Sequence, residues 1–209
     1  MNSPDWLIQG GWCLWLLIVL SVTSLSLIIY KLISFAKLGL NQKNEYKFWL
    51  DSMPTIDKFL FTGKHIRLHH PATRLIQFCV AILPNTIEKQ VFEDKVTIKA
   101  EQEIVQLKQG MRALEVISAL APLIGLLGTV LGMIDAFQNL QQAGTKVDPA
   151  MLSGGISQAL LTTAAGLIVA IPTTAAWHFF DNLITQHNAA IEHLLTEYLS
   201  LPSTRKFGS

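Results

Sequence analysis

The sequence predicts an all-α membrane protein with three transmembrane helices. The second and third continue into a cytoplasmic helical stalk, with the N-terminus outside and the C-terminus in the cytoplasm. Three observations predict it. Half of the 209 residues are hydrophobic, more than a typical soluble domain carries. Three runs lack Asp, Glu, Lys and Arg altogether: 25 residues from Trp6 to Tyr30, 19 from Val116 to Ile134 and 32 from Pro149 to Phe180. Each can cross a hydrocarbon core about 30 Å thick at about 1.5 Å per residue. Finally, 13 of the 16 Lys and Arg residues fall between Lys31 and Arg112, which the positive-inside tendency assigns to the cytoplasm. The 16 basic and 15 acidic side chains nearly cancel, so no net field points to nucleic acid.

Residues 1–11 form the outer N-terminus and residues 12–35 the first span. The leading MNSPD has no basic residue, whereas Lys31 and Lys37 come at the far end. A cleaved signal has the reverse order, so this segment reads as an anchor. Cys13 falls near the outer end of this span and Cys79 in the cytoplasmic region. That separation forbids a disulfide between them, and both read as small apolar residues.

Residues 36–112 form the cytoplasmic helical region, broken into short helices by Pro54, Pro71 and Pro84. Within KHIRLHHP, His65 and His69 have helical ligand spacing, but no Cys, Asp or Glu accompanies them locally. The stretch reads as a solvated basic loop rather than a metal site. Pro71 also disfavours helix at His70. From residue 88 onward, Val91, Val96 or Ile98, Ile104 or Val105, and Leu107 recur at helical intervals among charges. That pattern predicts an amphipathic helix running unbroken into the second span, residues 113–137.

Residues 138–152 form an outer hairpin, its turn extending into PAMLSGG. The third span is residues 153–177, and residues 178–209 form a cytoplasmic C-terminal helix and tail. The last uncharged run is about 48 Å long as a helix, so its end projects from the bilayer beside the helix that enters span two.

Spans two and three are rich in small residues. Ser118, Pro122, Gly125, Thr129, Gly132 and Ala136 line one side of the second span, which Gly128 widens. In the third, Ala159, Thr163, Ala170 and Thr174 share a face with Gly166 close by. Gln158, Thr162, Ala165, Val169 and Thr173 form an adjoining face. Small residues let helix backbones approach closely in lipid, where packing rather than burial from water drives association. Gly125, Gly128, Gly132 and Gly166 are therefore the helix-packing candidates. Thr129 and Thr163 either bond back to a carbonyl of their own helix or face a shared polar interior. Gln158, an amide near the outer end of span three, needs a partner in hydrocarbon.

The strings APLIGLLGTVLGMIDAF and GGISQALLTTAAGLIVAIP resemble the second and third membrane helices of the MotA/TolQ/ExbB proton-channel family, in its ExbB and TolQ branch and closest to ExbB. The resemblance is strong over residues 110–180. The order of three spans with a large cytoplasmic loop after the first extends it over nearly the whole chain. It implies a multi-pass subunit of the bacterial inner (cytoplasmic) membrane. Such subunits form a homo-oligomeric ring, typically a pentamer, around the single helices of an ExbD or TolR partner. Proton flow then drives motion that is passed to TonB or TolA. The family's two pore-lining threonines match Thr129 and Thr163. Where well-known members have glutamate in GIAEAL, this chain has Gln158 in GISQAL, and an amide cannot exchange a proton near neutral pH.

At membrane depth the one candidate carboxylate is Asp135, near the outer end of span two and read as interfacial. A carrier acid must therefore come from elsewhere, and the resemblance implies an aspartate on the ExbD-like helix. Ser118, Ser153 and Ser157 have no nearby base, so an enzyme is not expected, and no cofactor or metal is implied. The alternatives are a TolQ-like role in envelope integrity, a related gliding or surface-transport motor, or a membrane scaffold that conducts nothing.

Overall fold

The computed structural model describes residues 11–38, 70–82, 89–143 and 149–200. These form helices α1 (Gly11–Leu38), α2 (Pro71–Ile82), α3 (Lys89–Lys108), α4 (Met111–Ala143) and α5 (Pro149–Ser200). No strand occurs among the described residues. Three helical stretches, Trp12–Leu38, Gln90–Gln142 and Leu152–Leu199, are long and apolar enough to cross a membrane. The described residues are thus all-helical, and the chain is built as a multi-pass membrane protein. Two compact units share it, one of Met1–Tyr30 with Gly110–Phe179, the other of Lys31–Gln109 with Phe180–Ser209.

In the first unit Leu17 of α1, Ile117 and Ala121 of α4, and Val169 and Ala170 of α5 form the core, flanked by Leu20, Leu27, Ile124 and Ala165. Its exterior is equally apolar: Trp12, Trp15, Val19, Val22 and Leu25 on α1, Leu123 and Leu126 on α4, and Ile168 and Ile171 on α5 are all exposed. Such a continuous surface suits hydrocarbon rather than water. Polar side chains on α1 are made compatible with it locally. The Thr23, Ser24 and Ser26 hydroxyls donate to the carbonyls of Val19, Ser21 and Val22 at 2.8, 3.0 and 2.8 Å, so these three donors are satisfied within the helix.

The second unit has a conventional core. Phe92, Val96, Ala100, Ile104 and Leu107 are the buried face of α3, against which α2 packs. This settles the open choices on that helix: Val96 and Ile104 face inward, while Ile98 and Val105 are exposed. Val91 is exposed as well, because Phe92 takes its place. Phe92 stacks on Tyr198 of α5 with centroids 6.3 Å apart. At the other end of α3 the Lys31 ammonium donates to the Leu107 carbonyl and lies over the Phe35 ring, which meets Phe180 edge-on at 5.4 Å. The end of α5 therefore runs antiparallel to α3. Within this core the Glu103 carboxylate is fully buried between Arg74 at 2.6 Å and Lys99 at 2.9 Å; a carboxylate out of water requires such partners.

His70 departs from the solvated loop expected of its neighbourhood, for it is wholly buried. Its Nδ1 accepts the Ala72 amide at 3.3 Å, so it caps α2, and Pro71 supplies the first helical residue, where a missing amide hydrogen does no harm. The proline that disfavours helix at His70 is the one that starts the next. His65, His69, Pro54 and Pro84 lie outside the described residues. Among the described residues no cluster of three metal-ligating side chains occurs. Cys13 and Cys79 are both free thiols and both buried. Burial pushes the Cys79 thiol up to about 12, which suits a small apolar residue rather than a reactive one.

Two sequence expectations about helix ends are corrected. The helix leading into span two is not continuous: α3 stops at Lys108, the Gln109 amide bonds the Gln106 carbonyl at 3.3 Å, and Gly110 takes φ 78° before α4 begins. Glycine is the residue that enters this left-handed region without a Cβ clash, and it marks a helix C-terminus. Conversely, PAMLSGG is helix rather than turn, since α5 starts at Pro149. Pro149 fits a first helical position, and Gly155 serves packing, since a Cβ there would stand 2.6 Å from that of Ala136. The Gly110 geometry predicts that Gly110→Ala loses about 1–2 kcal/mol of stability through left-handed strain, seen as a lowered thermal midpoint in detergent. Gly110→Asn should lose less, and an unchanged midpoint for the alanine variant would contradict the left-handed assignment.

Candidate functional site

The small residues of α4 and α5 meet along one antiparallel seam. A Cβ built on Gly166 would stand 2.7 Å from the Ala121 carbonyl oxygen and 3.0 Å from the Gly125 Cα. On Gly125 it would meet the Thr163 Cα at 3.1 Å and the Gly166 Cα at 3.2 Å; on Gly128, the Thr162 Oγ1 at 2.6 Å and Cβ at 2.8 Å. Further along, Gly132 faces the Ala159 Cβ at 3.1 Å, and Gly155 faces the Ala136 Cβ at 2.6 Å. The backbones thus lie in direct contact, as helices do where small residues recur every three or four positions. Ala121, Gly125, Gly128, Gly132 and Ala136 form the α4 side. Gly155, Ala159, Thr162 and Gly166 form the α5 side.

The phase of this seam differs from the one read in the sequence. Thr129, grouped there with Gly125 and Gly132, lies beside the seam: it is half-buried, and its hydroxyl donates to the Leu126 carbonyl at 2.6 Å. Gly128 takes the central place instead. On the α5 side of the seam the buried hydroxyl is Thr162, which donates to the Ala159 carbonyl at 2.7 Å and reaches the Gly125 carbonyl at 3.4 Å. Thr163, half-buried at the margin, donates across the seam to the same Gly125 carbonyl at 3.1 Å. Gly125 therefore collects Thr162 and Thr163 of α5, while Thr129 sits one turn further along α4. Thr129 and Thr163 share no hydrogen bond.

Ala121 and Gly155 are the seam residues that sequence grouping passed over, and Thr162, read there on an adjoining face, lies on the seam itself. One signal pointed to them: Gly155, Ala159, Thr162 and Gly166 are spaced by four, three and four, matching Gly125, Gly128 and Gly132 in reverse. The hydroxyl of Thr163 drew attention away from the smaller set.

Gln158 is half-buried and makes no hydrogen bond within the chain among the described residues. Asp135 is exposed and accepts the Asn139 amide at 3.4 Å, in keeping with a place near the membrane surface. Between these groups and the α3–α4 junction the seam has hydroxyls and carbonyls but no titratable side chain. Hydroxyls at this depth can orient water or bond a polar visitor; they cannot take up and release protons near neutral pH.

A family model described as the MotA/TolQ/ExbB proton channel family matches residues 67–193. Among curated proteins the chain is 35% identical to biopolymer transport protein exbB1 of Vibrio cholerae, over 54% of this chain and 50% of that one. It is 31% identical to a putative ExbB-like biopolymer transport protein of Synechocystis over 80% of this chain and 66% of that one. With biopolymer transport protein ExbB of Neisseria gonorrhoeae the identity is 45% over 40% of this chain and 39% of that one. The chain spans about half the length of the curated relatives it matches.

The seam distances predict an ordered series of alanine variants. Gly166→Ala must push one helix backbone off another, costing about 1–3 kcal/mol. Gly132→Ala meets the Ala159 Cβ at 3.1 Å and Cα at 3.3 Å, both longer than the closest contact at Gly166, and should cost less than Gly166→Ala, about 1 kcal/mol. A Cβ on Gly154 meets nothing within 4 Å, so Gly154→Ala should gain up to about 1 kcal/mol in helix propensity. Thermal unfolding in detergent reads the order directly, and a Gly166→Ala protein as stable as wild type would contradict the seam.

Proposed function

Because the chain belongs to the MotA/TolQ/ExbB proton channel family, we propose that it is an ExbB-like subunit of a proton-driven motor in a bacterial inner membrane. The observation that carries this reading is the combination of a tight small-residue seam with threonine hydroxyls at mid-span and no titratable group beside them. A plain anchor has no use for the first, and a self-sufficient proton carrier would not lack the last.

In this reading the chain forms a homo-oligomer, a pentameric ring, around the helices of an ExbD-like or TolR-like single-span partner. Motion is passed to a TonB-like protein and so to transport across the outer membrane. The ExbB assignment is favoured over a TolQ-like role by the similarity to proteins named ExbB. Orientation follows the charges: residues 1–11 and 138–152 outside, residues 36–112 and 178–209 in the cytoplasm. The antiparallel run of α3 beside the end of α5 supports a cytoplasmic stalk.

Each element then has a physical task. Gly125, Gly128, Gly132 and Gly166 hold spans two and three together, leaving the leucine-rich faces for lipid and for neighbouring copies. Thr129 and Thr163, at the margins of the seam, give the lumen a polar band. Gln158 supplies an amide near its outer end, where it bonds water or the partner without titrating. The proton carrier is a carboxylic acid on the partner. Its neutralisation removes the charge that otherwise opposes movement along a low-dielectric wall. No enzymatic step is involved.

Two outcomes follow. Reconstituted in liposomes under an imposed potential, the chain alone should pass no protons, and addition of the single-span partner should acidify the interior rapidly. Thr163→Val and Thr129→Val should assemble normally yet reduce partner-dependent flux by about tenfold or more, as loss of roughly 1.4 kcal/mol of transition-state stabilisation requires. Gln158→Glu should keep much of the flux and Gln158→Leu less. Rapid Thr163-dependent flux through the chain alone would overturn the reading, and silent valine variants would favour a non-conducting scaffold.

A further inference from the structure

The hydrogen bonds of the mid-span hydroxyls have a common direction. Between Leu120 and Phe137 of α4 and between Ala159 and Thr174 of α5, the side-chain hydroxyls are Thr129, Thr162, Thr163, Thr173 and Thr174. Each lies within hydrogen-bond distance of a backbone carbonyl: Leu126, Ala159, Gly125, Val169 and Ala170, at 2.6, 2.7, 3.1, 2.7 and 2.8 Å. A carbonyl carries no hydrogen, so in all five bonds the threonine is the donor. A hydroxyl has one hydrogen and two lone pairs; with the hydrogen committed inward, only lone pairs remain to meet anything outside. The helix prolines act in the same sense. Pro122 and Pro172 have no amide hydrogen to give the carbonyls one turn earlier, those of Ser118 and Ile168.

We infer that the polar band flanking the seam is an acceptor-only surface, which binds a carboxylic acid in its protonated form and turns away the carboxylate. This rests on the reading of Thr129 and Thr163 as facing the partner acid. The neutral acid has an O–H to donate to a threonine lone pair. The carboxylate has only acceptor oxygens and would face other acceptors in a medium where that mismatch is poorly screened. The proton enters on the acid from the outer side and leaves it for water on the cytoplasmic side. The band admits the loaded carrier and expels the empty one.

Charged groups near the band belong to its ends. Asp135 of α4 lies at the outer end and Glu115 of α4 at the inner end, and α5 contributes no Asp, Glu, Lys or Arg between Asp148 and Asp181. The available donors are peripheral too. Gln158 has an amide with no hydrogen bond inside the chain among the described residues, and it stands beside Ala159, on the outer side of Thr162 and Thr163. The wall thus changes from donor-bearing to donor-free along the path, an order that would accept a carboxylate at one end and require its protonation before passage.

The test places a donor in the band. The chain is purified in complex with its single-span partner, and the partner carboxyl is labelled with a hydrophobic carbodiimide, which reacts with the protonated acid, across a pH series read by mass spectrometry. Thr163→Asn and Thr129→Asn each add an amide donor, and either should lower the labelling midpoint by about one pH unit, a tenfold change in the protonation equilibrium. Thr163→Ser, which keeps the inward-donating hydroxyl, should leave the midpoint in place. Thr129 bonds only within its own helix, so its variant remains informative where Thr163→Asn disturbs the seam. A carboxyl that is labelled only in the complex, with a midpoint indifferent to both asparagines or raised by them, overturns the acceptor-only inference and leaves the motor reading standing. A carboxyl whose labelling is the same in the complex and in the isolated partner overturns both.

Discussion

The structure of the membrane unit depends on one contact, the meeting of the Gly125 and Gly166 backbones. With a Cβ on Gly166 only 2.7 Å from the Ala121 oxygen, any side chain there would separate the helices. Separation would carry Thr163 out of reach of the Gly125 carbonyl, its acceptor at 3.1 Å. Its hydroxyl would then be free to rotate and donate elsewhere, and the donor-free character of the mid-span would be lost. Packing at the glycines therefore sets the hydrogen-bond chemistry at the threonines beside them. In lipid there is no burial from water to hold two helices together, so shape alone must provide the attraction.

The two units solve the problem of burying polar groups in opposite ways. In the membrane unit each mid-span hydroxyl is satisfied within one or two helical turns or across a glycine contact, and full charges are kept to the ends. In the other unit charge itself is buried. Glu103 lies between Arg74 and Lys99, and Lys31 is held by a helix-end carbonyl and an aromatic face. A helix C-terminus is a favourable place for a cation, and Gly110 ends α3 where that carbonyl becomes available. The backbone break and the buried lysine thus belong to one arrangement.

How much of this the sequence disclosed depended on what kind of pattern carried it. Uncharged runs fix the existence of membrane helices because charge in hydrocarbon is costly whatever the neighbours; α4 and α5 contain the second and third runs, and α1 holds Gly11–Tyr30 of the first. The identity of the small-residue faces was also legible, since spacing by three and four is a property of one helix. Their phase was not. Gly125, Thr129 and Gly132 fit a helical face as well as Gly125, Gly128 and Gly132 do, and only the partner helix decides that Gly128 meets Thr162 while Thr129 turns aside. PAMLSGG misled for a related reason: Gly155 looks like a turn residue until Ala136 is placed against it. His70 reads as solvent-exposed among basic neighbours, and nothing local announces that α2 needs a cap at that point. The direction of the hydroxyl bonds lay beyond sequence entirely, because it follows from which carbonyl is nearest.

The central claim is that α4 and α5 of one chain meet backbone to backbone in this register. The most direct measurement is a cysteine pair, Gly132→Cys with Ala159→Cys, in a chain whose Cys13 and Cys79 are replaced by alanine, oxidised in native membranes. A Cβ on Gly132 lies 3.1 Å from that of Ala159, and disulfides span about 3.5–4.5 Å between such atoms with slight adjustment. The account predicts rapid, near-complete cross-linking within one chain, with no dimer band on a non-reducing gel, and little cross-linking when the second cysteine is placed at Leu160 instead. Efficient coupling at Leu160, or cross-links forming only between chains, would contradict it.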